Sequence, residues 1–497
     1  MLNRQKMTKF LKKYRYQIAL IFCVLAYAVI TLLWVHLNTR PPHWDMGRHL
    51  FTAQQYLNLL LDGQKFAMFS AYFYYPPLTY WLVALAFQLF GSSIMVAVGV
   101  NIVWALILAF SFLSIAKSLK RPRAGVFAFI FFMTMPLVSS VSKDFQLDFP
   151  LTAMLAVNLA VLLRSQKFKR LDMSLLYGLT FGLGMITKWM FLVFAIWPLI
   201  VVIIYMVRDK DRIERLKNLF VGLSLGYLIA SPWYLINFYS IKMDFLANGT
   251  AAGVREGDPA VASLAGLLWY PNYILEMYLR LPWLIPFLLA GSLSINAYKK
   301  RRFSKDIIVI LALGLGGLFA FTLLRNKDVR YIMPIFIVVS LAAGLALDWL
   351  VRKKKAIIAY VLIGLCIVSF FATSFVASGQ RIPVLPMAPA LPLVVWSPTG
   401  YITGAPVYED WCLEEAVKQS RANGSSVAYS GPDTIWFNAW ALQYYASREN
   451  LAIVEGSKAQ IMMYRGETIQ IDAFWQCQVA DGSKVSLVRV LENQVSN

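Results

Sequence analysis

Apolar runs of about twenty residues recur along the first 377 positions, and short clusters of Lys and Arg separate them. Runs of that length match the thickness of a bilayer core. In lipid, each backbone N–H and C=O must find a partner within its own segment, so the runs are predicted to be helices. Eleven are expected, at 17–37, 94–116, 124–141, 148–163, 172–187, 189–207, 218–237, 282–298, 306–323, 332–350 and 356–376. The first is too long for a signal-peptide core and no A-x-A-like site follows it, so it reads as a retained span. A further run, PPLTYWLVALAFQLFG at 76–91, inverts every later loop if counted. It reads as a helix lying in, or dipping into, the interface.

The basic clusters are RQKMTKFLKKYR, KSLKRPR, RSQKFKR, RDKDRIERLK, YKKRRFSK and VRKKK. They precede the first run or follow every second one. Short basic loops of this kind mark the cytoplasmic side, and they also attract anionic lipid. The expected topology is an integral, multi-pass protein with a cytoplasmic N-terminus, most naturally in a prokaryotic plasma membrane. The outer face then carries two long loops, 38–93 and 238–280, three short turns at 142–147, 187–189 and 324–331, and a tail, 378–497. The tail opens with a Pro-rich connector, RIPVLPMAPALPLVVWSP, expected to be extended. SSVAYS, LAIVEG, AQIMMYR and KVSLVRVL read as short strands. PDTIWFNAWALQYYAS reads as a helix capped by Asp433 or Thr434. The fold class is therefore a polytopic α-helical membrane protein, residues 1–377, with a small extracytoplasmic α/β domain, residues 378–497.

Composition agrees. Of 497 residues, 59% are hydrophobic and 15% charged, where soluble domains carry roughly 25% charged residues. The net charge of +21 invites a nucleic-acid partner. Its distribution rejects one: the tail has eight Lys/Arg against eleven Asp/Glu, so the excess lies in the loops between spans. Cys23 and Cys366 fall in spans as packing residues. Cys412 and Cys477 share the tail, where a disulfide is chemically allowed. A divalent metal finds no supporting motif, since there is no C-x-x-C or His-x-x-x-His and the chain has three His.

Ionisable residues at membrane depth are expensive, so each is a functional candidate. Asp45 follows the first span and also suits the start of the helix MGRHLFTAQQYLNLLL. KDFQLDFPL supplies Lys143, Asp144 and Asp148, the two acids four apart and on one face if helical. Lys188 lies between two apolar runs in GMITKWMFL. RNKDVRYIMP places Arg325, Lys327 and Arg330 on the outer face, where the orientation rule disfavours them and a bound phosphate explains them. An acid acts as a general base toward a hydroxyl or amine, and cations stabilise a departing phosphate. The combination suits attack on a sugar attached to a lipid phosphate. There is no P-loop and no G-x-G-x-x-G.

At these residues the chain resembles the GT-C glycosyltransferases, and within them the branch of protein O-mannosyltransferases and the lipid A aminoarabinose transferase. The first-loop acid of that branch corresponds to Asp45, and its Pro-Pro-Leu-x-Tyr-Trp segment to PPLTYWL. The acid before Pro corresponds to Asp148 in LDFP, the Thr-Lys element to Lys188, and the Arg-Tyr-x-x-Pro turn to Arg330 and Tyr331. Met46 stands where a second acid is frequent, and Tyr74 and Tyr75 stand where relatives often carry an acid, Lys or His. The resemblance implies inverting transfer from a polyprenyl-phosphate sugar to a lipid, glycan or protein acceptor. Asp45 is then the base, and Lys188, Arg330, Lys327 and Arg325 hold the phosphate. Asp148, Asp144, Lys143, His49, Tyr75 and Tyr331 contact sugar or acceptor. A lipid-phosphate transporter shares the cations but needs no base. An oligosaccharyltransferase has the same fold, but its W-W-D-Y-G signature is absent from the tail.

Overall fold

The computed structural model describes residues 2–248, 251–300, 303–376, 382–386, 392–396, 404–468, 470 and 472–490. A helix stands at each of the eleven expected segments. Seven are long and apolar enough to cross a membrane, and eight if one bent pair is a single span. That pair is Pro122–Thr134 and Pro136–Ser142, bent by 75°. Pro136, having no N–H to donate, starts the second piece there. The segment at 94–118 is likewise two helices, Ile94–Gly99 and Asn101–Ser118. Leu171–Met185 and Phe191–Met206 are shorter apolar helices. The interface segment forms Leu78–Phe90, thirteen residues, with Leu85, Leu89 and Phe90 exposed.

Close helix contact depends on small residues. Leu171–Met185 and Arg212–Ile236 meet through Gly178 and Gly222, where a Cβ on Gly178 would fall 1.7 Å from the Gly222 carbonyl oxygen. Membrane helices associate through such close packing rather than through exclusion of water. Outward-facing Phe22, Leu25, Leu228, Leu315 and Val368 present apolar surface to the surroundings.

The basic clusters gather together. Asp348 accepts from both Arg123 (2.7 Å) and Arg352 (2.9 Å). Lys167 pairs with Asp209, and Arg215 with Asp211 at 2.7 Å. The Arg123–Asp348 and Lys167–Asp209 pairs link segments that the charge pattern assigned to one side.

Beyond the helices, the connector is more than an extended tether. Ile382–Pro386 and Pro392–Trp396 pair antiparallel, and the rest of it lies outside the described residues. A five-stranded sheet follows, in the spatial order Ala452–Ile453, Ser426–Ser430, Ile461–Gly466, Lys484–Arg489, Trp475–Gln478. The first two pairings are parallel and the other two antiparallel. The expected 432–447 helix spans Ala439–Arg448 instead. Asn438, not Asp433 or Thr434, caps it, accepting the Ala441 N–H at 2.9 Å. Thr434 accepts from the Phe437 N–H in the preceding turn. The helix Leu413–Asn423 and the strand Trp475–Gln478 were not anticipated. Cys412 and Cys477 are joined, with Cα atoms 6.4 Å apart.

One apolar core fills the helix bundle. A second runs from Trp34 through the helices Trp44–Leu61 and Leu78–Phe90 into the sheet, and fastens the tail to the first loop.

Candidate active site

Asp45 lies in the first turn of Trp44–Leu61, where a carboxylate complements the helix dipole. The cap position itself belongs to His43. Asp45 Oδ2 is 2.8 Å from Arg330 Nη1, and 48% of the Asp45 side chain is exposed. Partial burial pushes its carboxyl upward, but the Arg330 guanidinium, His49 and His43 outweigh that and hold it at about 2. Arg330 is itself shared. Nη1 donates to Gln146 Oε1 at 2.9 Å, and Nε donates to both Asp328 oxygens at 3.0 Å.

A second ion pair lies deeper. Asp148 begins the helix Asp148–Arg164, and Lys188 occupies the turn between Leu171–Met185 and Phe191–Met206. Lys188 Nζ is 2.8 Å from Asp148 Oδ1, with each side chain 3% exposed. The ammonium also stands 5.4 Å from the ring centroids of Tyr75 and Tyr331. It thus has an acid and two aromatic faces as neighbours, an arrangement that stabilises a desolvated cation.

These groups open into one cavity of about 1030 Å³, lined by Asp45, Arg330, Lys188, Asp148, His49, Tyr75 and Tyr331 among others. Its size is that of a ligand site. His49 bonds the Tyr80 hydroxyl at 2.8 Å, and burial pushes its imidazole down to about 3, so it is neutral at ordinary pH.

The other expected residues lie elsewhere. Lys327 Nζ donates to the carbonyls of Leu324 (2.8 Å) and Thr322 (3.1 Å), capping the end of Lys305–Thr322. Arg325 is not in the cavity lining. Lys143 donates to Ser374 Oγ at 2.6 Å, over the rings of Trp34, Phe370 and Phe375. Asp144 precedes the Asp148 helix, so the two acids share no helical face. It bonds His43 Nε2 at 2.8 Å and Gln146 Nε2 at 3.0 Å. Gln146, which lines the cavity, then links it to Arg330. The only grouping of three metal-ligand side chains within reach among the described residues, Asp410 with Cys412 and Cys477, has both sulfurs in the disulfide.

Several lining residues escaped the sequence reading: Arg40, Arg48, Arg255, Glu256, Asp328 and Trp436. Arg48 was within reach, three positions after Asp45 on one helix face. Its guanidinium lies over the Tyr74 ring at 4.6 Å. Tyr74 takes a φ of 77°, rare for a bulky residue, and both Tyr74 and Tyr75 line the cavity.

The tail supplies a wall through Gly404–Tyr408, Ile435 and Trp436. It is clasped to the chain after the first helix. The Thr39 N–H donates to the Val407 carbonyl at 3.0 Å, and Arg40 grips Glu409 at 2.9 and 2.7 Å. Gly47 lets the helices Trp44–Leu61 and Ala439–Arg448 touch, since a Cβ there would lie 2.8 Å from the Ala441 nitrogen.

This helix bundle, with its cavity walled by a first loop and a C-terminal α/β unit, is a GT-C fold. Residues 75–236 match the dolichyl-phosphate-mannose-protein mannosyltransferase family. Over 303 residues the chain is 25% identical to the undecaprenyl phosphate-α-4-amino-4-deoxy-L-arabinose arabinosyl transferase of Aeromonas hydrophila, covering 57% of this chain and 52% of that protein. The chain spans about half the length of the curated relatives it matches. The crystal structure of ArnT from Cupriavidus metallidurans bound to undecaprenyl phosphate superposes with a TM-score of 0.62 at 17% identity, covering 94% of this chain and 97% of that one. The archaeal oligosaccharyltransferase AglB of Archaeoglobus fulgidus, in complex with an inhibitory peptide and a dolichol-phosphate, gives 0.52 at 11% identity, covering 91% and 70%. The chain is a polytopic membrane protein of GT-C fold, similar to the branch of protein mannosyltransferases and aminoarabinose transferases.

Proposed function

We propose that this protein is an inverting glycosyltransferase, moving a sugar from a polyprenyl-phosphate carrier to a hydroxyl or amine acceptor at the outer membrane face. The observation that carries the reading is the single cavity in which a half-exposed carboxylate, Asp45, faces Arg330 with Lys188 nearby. Relatives whose names include undecaprenyl phosphate support the donor class. On this reading all eleven helices cross the membrane, residues 1–377 form the catalytic unit, and residues 378–497 form an extracytoplasmic domain.

The acceptor O–H or N–H gives its proton to Asp45 as the acceptor atom bonds to the anomeric carbon. The bond from that carbon to the phosphate oxygen breaks, and the phosphate leaves carrying the electron pair. Arg330 and Lys188 stabilise the charge it gains. Asp148 holds Lys188 in place, and His49, Tyr75 and Tyr331 offer contacts to the sugar or acceptor. A carboxyl held at about 2 is a weak base. A donor phosphate on Arg330 competes for the guanidinium that lowers it, so donor binding raises the basicity of Asp45. Asp144, Lys143, Lys327 and Arg325 support the walls rather than touch the substrate. The bundle interior is packed with apolar side chains such as Phe129, Phe131, Leu151 and Phe194. That favours a site at one end over a transport path across.

The test uses the purified protein in lipid nanodiscs with a polyprenyl-linked lipid extract, reading the mass of the sugar lost from the carrier. Asp45→Asn is expected to lose transfer by on the order of 10²-fold or more while still binding polyprenyl phosphate. Arg330→Ala is expected to weaken that binding, and Arg330→Lys to restore it only in part, because Lys lacks the forked donor geometry. Near-normal turnover by Asp45→Asn would remove Asp45 from the mechanism.

A further inference from the structure

A second cavity, of about 740 Å³, lies among the helices Leu281–Lys299, Lys305–Thr322 and Ile335–Arg352. It is remote from the candidate active site. Arg330 precedes the Ile335–Arg352 helix and Lys353 follows it, so about 27 Å of helix separates the two ends. The walls are apolar. Ala290, Ala297 and Ala342 leave the groove open, and Leu293, Leu345 and Trp349 furnish its surface.

The mouth is different. Arg121, Lys300, Arg352 and Lys353 all line it. Arg352 shares Asp348 with Arg123. Among the described residues no carboxylate pairs with Arg121, Lys300 or Lys353. The entrance therefore keeps an uncompensated positive charge beside a slot built for hydrocarbon.

We propose that this groove holds one anionic phospholipid, an acyl chain lying between the helices and the head-group phosphate held by the basic mouth. The charge pattern selects this occupant. A zwitterionic lipid fills the groove as well but brings a second charge of the wrong sign to the mouth. A water-soluble anion matches the mouth and leaves the apolar walls uncovered. Phosphate oxygens accept short, charge-assisted hydrogen bonds from Arg and Lys, and basic pockets between membrane helices favour anionic head groups. The site is independent of the proposed transfer reaction.

The full-length protein is released from nanodiscs into mild detergent and bound lipid is counted by native mass spectrometry, with phosphatidylglycerol and phosphatidylcholine as probes. One phosphatidylglycerol per chain is expected to survive detergent concentrations that strip phosphatidylcholine. Arg121→Gln/Lys300→Gln/Lys353→Gln is expected to weaken its retention by on the order of 10²-fold, each cation contributing about fivefold. Ala342→Trp, which fills the groove, is expected to lower the occupancy of either lipid. Lys169→Gln/Lys210→Gln, in other basic loops, is expected to change nothing. An unchanged thermal unfolding midpoint in the lipid-free variants shows that loss of lipid is not loss of fold. Equal retention of the two lipids overturns the proposal, as does undiminished retention by the triple variant. So does full displacement of phosphatidylglycerol by millimolar inorganic phosphate, which would make the mouth a site for the free anion.

Discussion

The Asp148–Lys188 pair gives the sharpest quantitative expectation. Both side chains are almost fully buried, 2.8 Å apart. Removing one partner of such a pair leaves an uncompensated charge and costs about 3–5 kcal/mol. After Asp148→Asn, Lys188 still has the faces of Tyr75 and Tyr331, worth on the order of 1–2 kcal/mol. That variant belongs near the low end, about 3 kcal/mol. Lys188→Met leaves a buried carboxylate with no cation beside it and belongs nearer the upper end, at about 4 kcal/mol. The double variant Asp148→Asn/Lys188→Met carries no charge in the site and keeps similar volume. It is expected to cost about 2 kcal/mol, less than either single change. Unfolding in mixed detergent micelles, followed by tryptophan fluorescence, closes the double-mutant cycle. Those costs amount to a coupling of about 5 kcal/mol, well beyond the roughly 0.3–0.5 kcal/mol within which independent sites add. Single costs that simply add would refute the idea that each charge is held in place by the other. Polyprenyl-phosphate binding provides the second reading. The double variant is expected to fold yet bind as poorly as Lys188→Met, and parent-like binding would exclude Lys188 from the phosphate site.

Three further expectations follow from Asp45, its partner Arg330, and the close helix contact at Gly47. The Asp45 carboxyl sits lower in the folded protein, at about 2, than in an unfolded chain, so the stability it lends is complete above about pH 4 and disappears as pH falls toward 2. Arg330→Gln removes the main opposing charge and is expected to move the Asp45 titration upward from about 2, read from carboxyl infrared bands against Asp45→Asn; a titration still near 2 would contradict the assigned cause. Gly47→Val forces the helices Trp44–Leu61 and Ala439–Arg448 apart, at about 1–3 kcal/mol. It should expose the stretch 404–412 to protease, whereas parent-like resistance would show that the close contact is not needed.

Much of the helical frame was legible because lipid imposes a strong rule on sequence: twenty apolar residues, then a charge bias. Seven expected residues line one cavity, and the four charged ones among them, Asp45, Asp148, Lys188 and Arg330, do so because each lies near a helix end on the side away from the basic clusters. Lys327 lies outside the cavity lining for a physical reason. Its partners are backbone carbonyls at a helix end, and carbonyls leave no mark in a sequence. Asp144 does not share a face with Asp148 because the turn at 143–147 interrupts the helix that would have aligned the two acids. The tail wall was invisible for another reason. The pairing of Thr39 with Val407 spans more than 360 positions, and no local pattern encodes so distant a contact. The helix cap at Asn438 was missed because Asp433 and Thr434 carry the same capping chemistry five and four residues earlier.

The clasp between the chain around Thr39 and Arg40 and the segment Val407–Glu409 also bears on when the protein becomes competent. The first loop emerges early in synthesis, and its partner some 370 residues later. Until then the cavity lacks a wall, however completely the helices have inserted. At ordinary elongation rates the stretch from 404 to 490 alone takes roughly 4–20 s to make, and Cys412 and Cys477 can join only when both have been made. A nascent chain therefore carries Asp45, Arg330 and Lys188 in an open, hydrated basin before it carries them in a site. Closure of that basin is a late event in biogenesis, set by arrival of the tail rather than by assembly of the bundle.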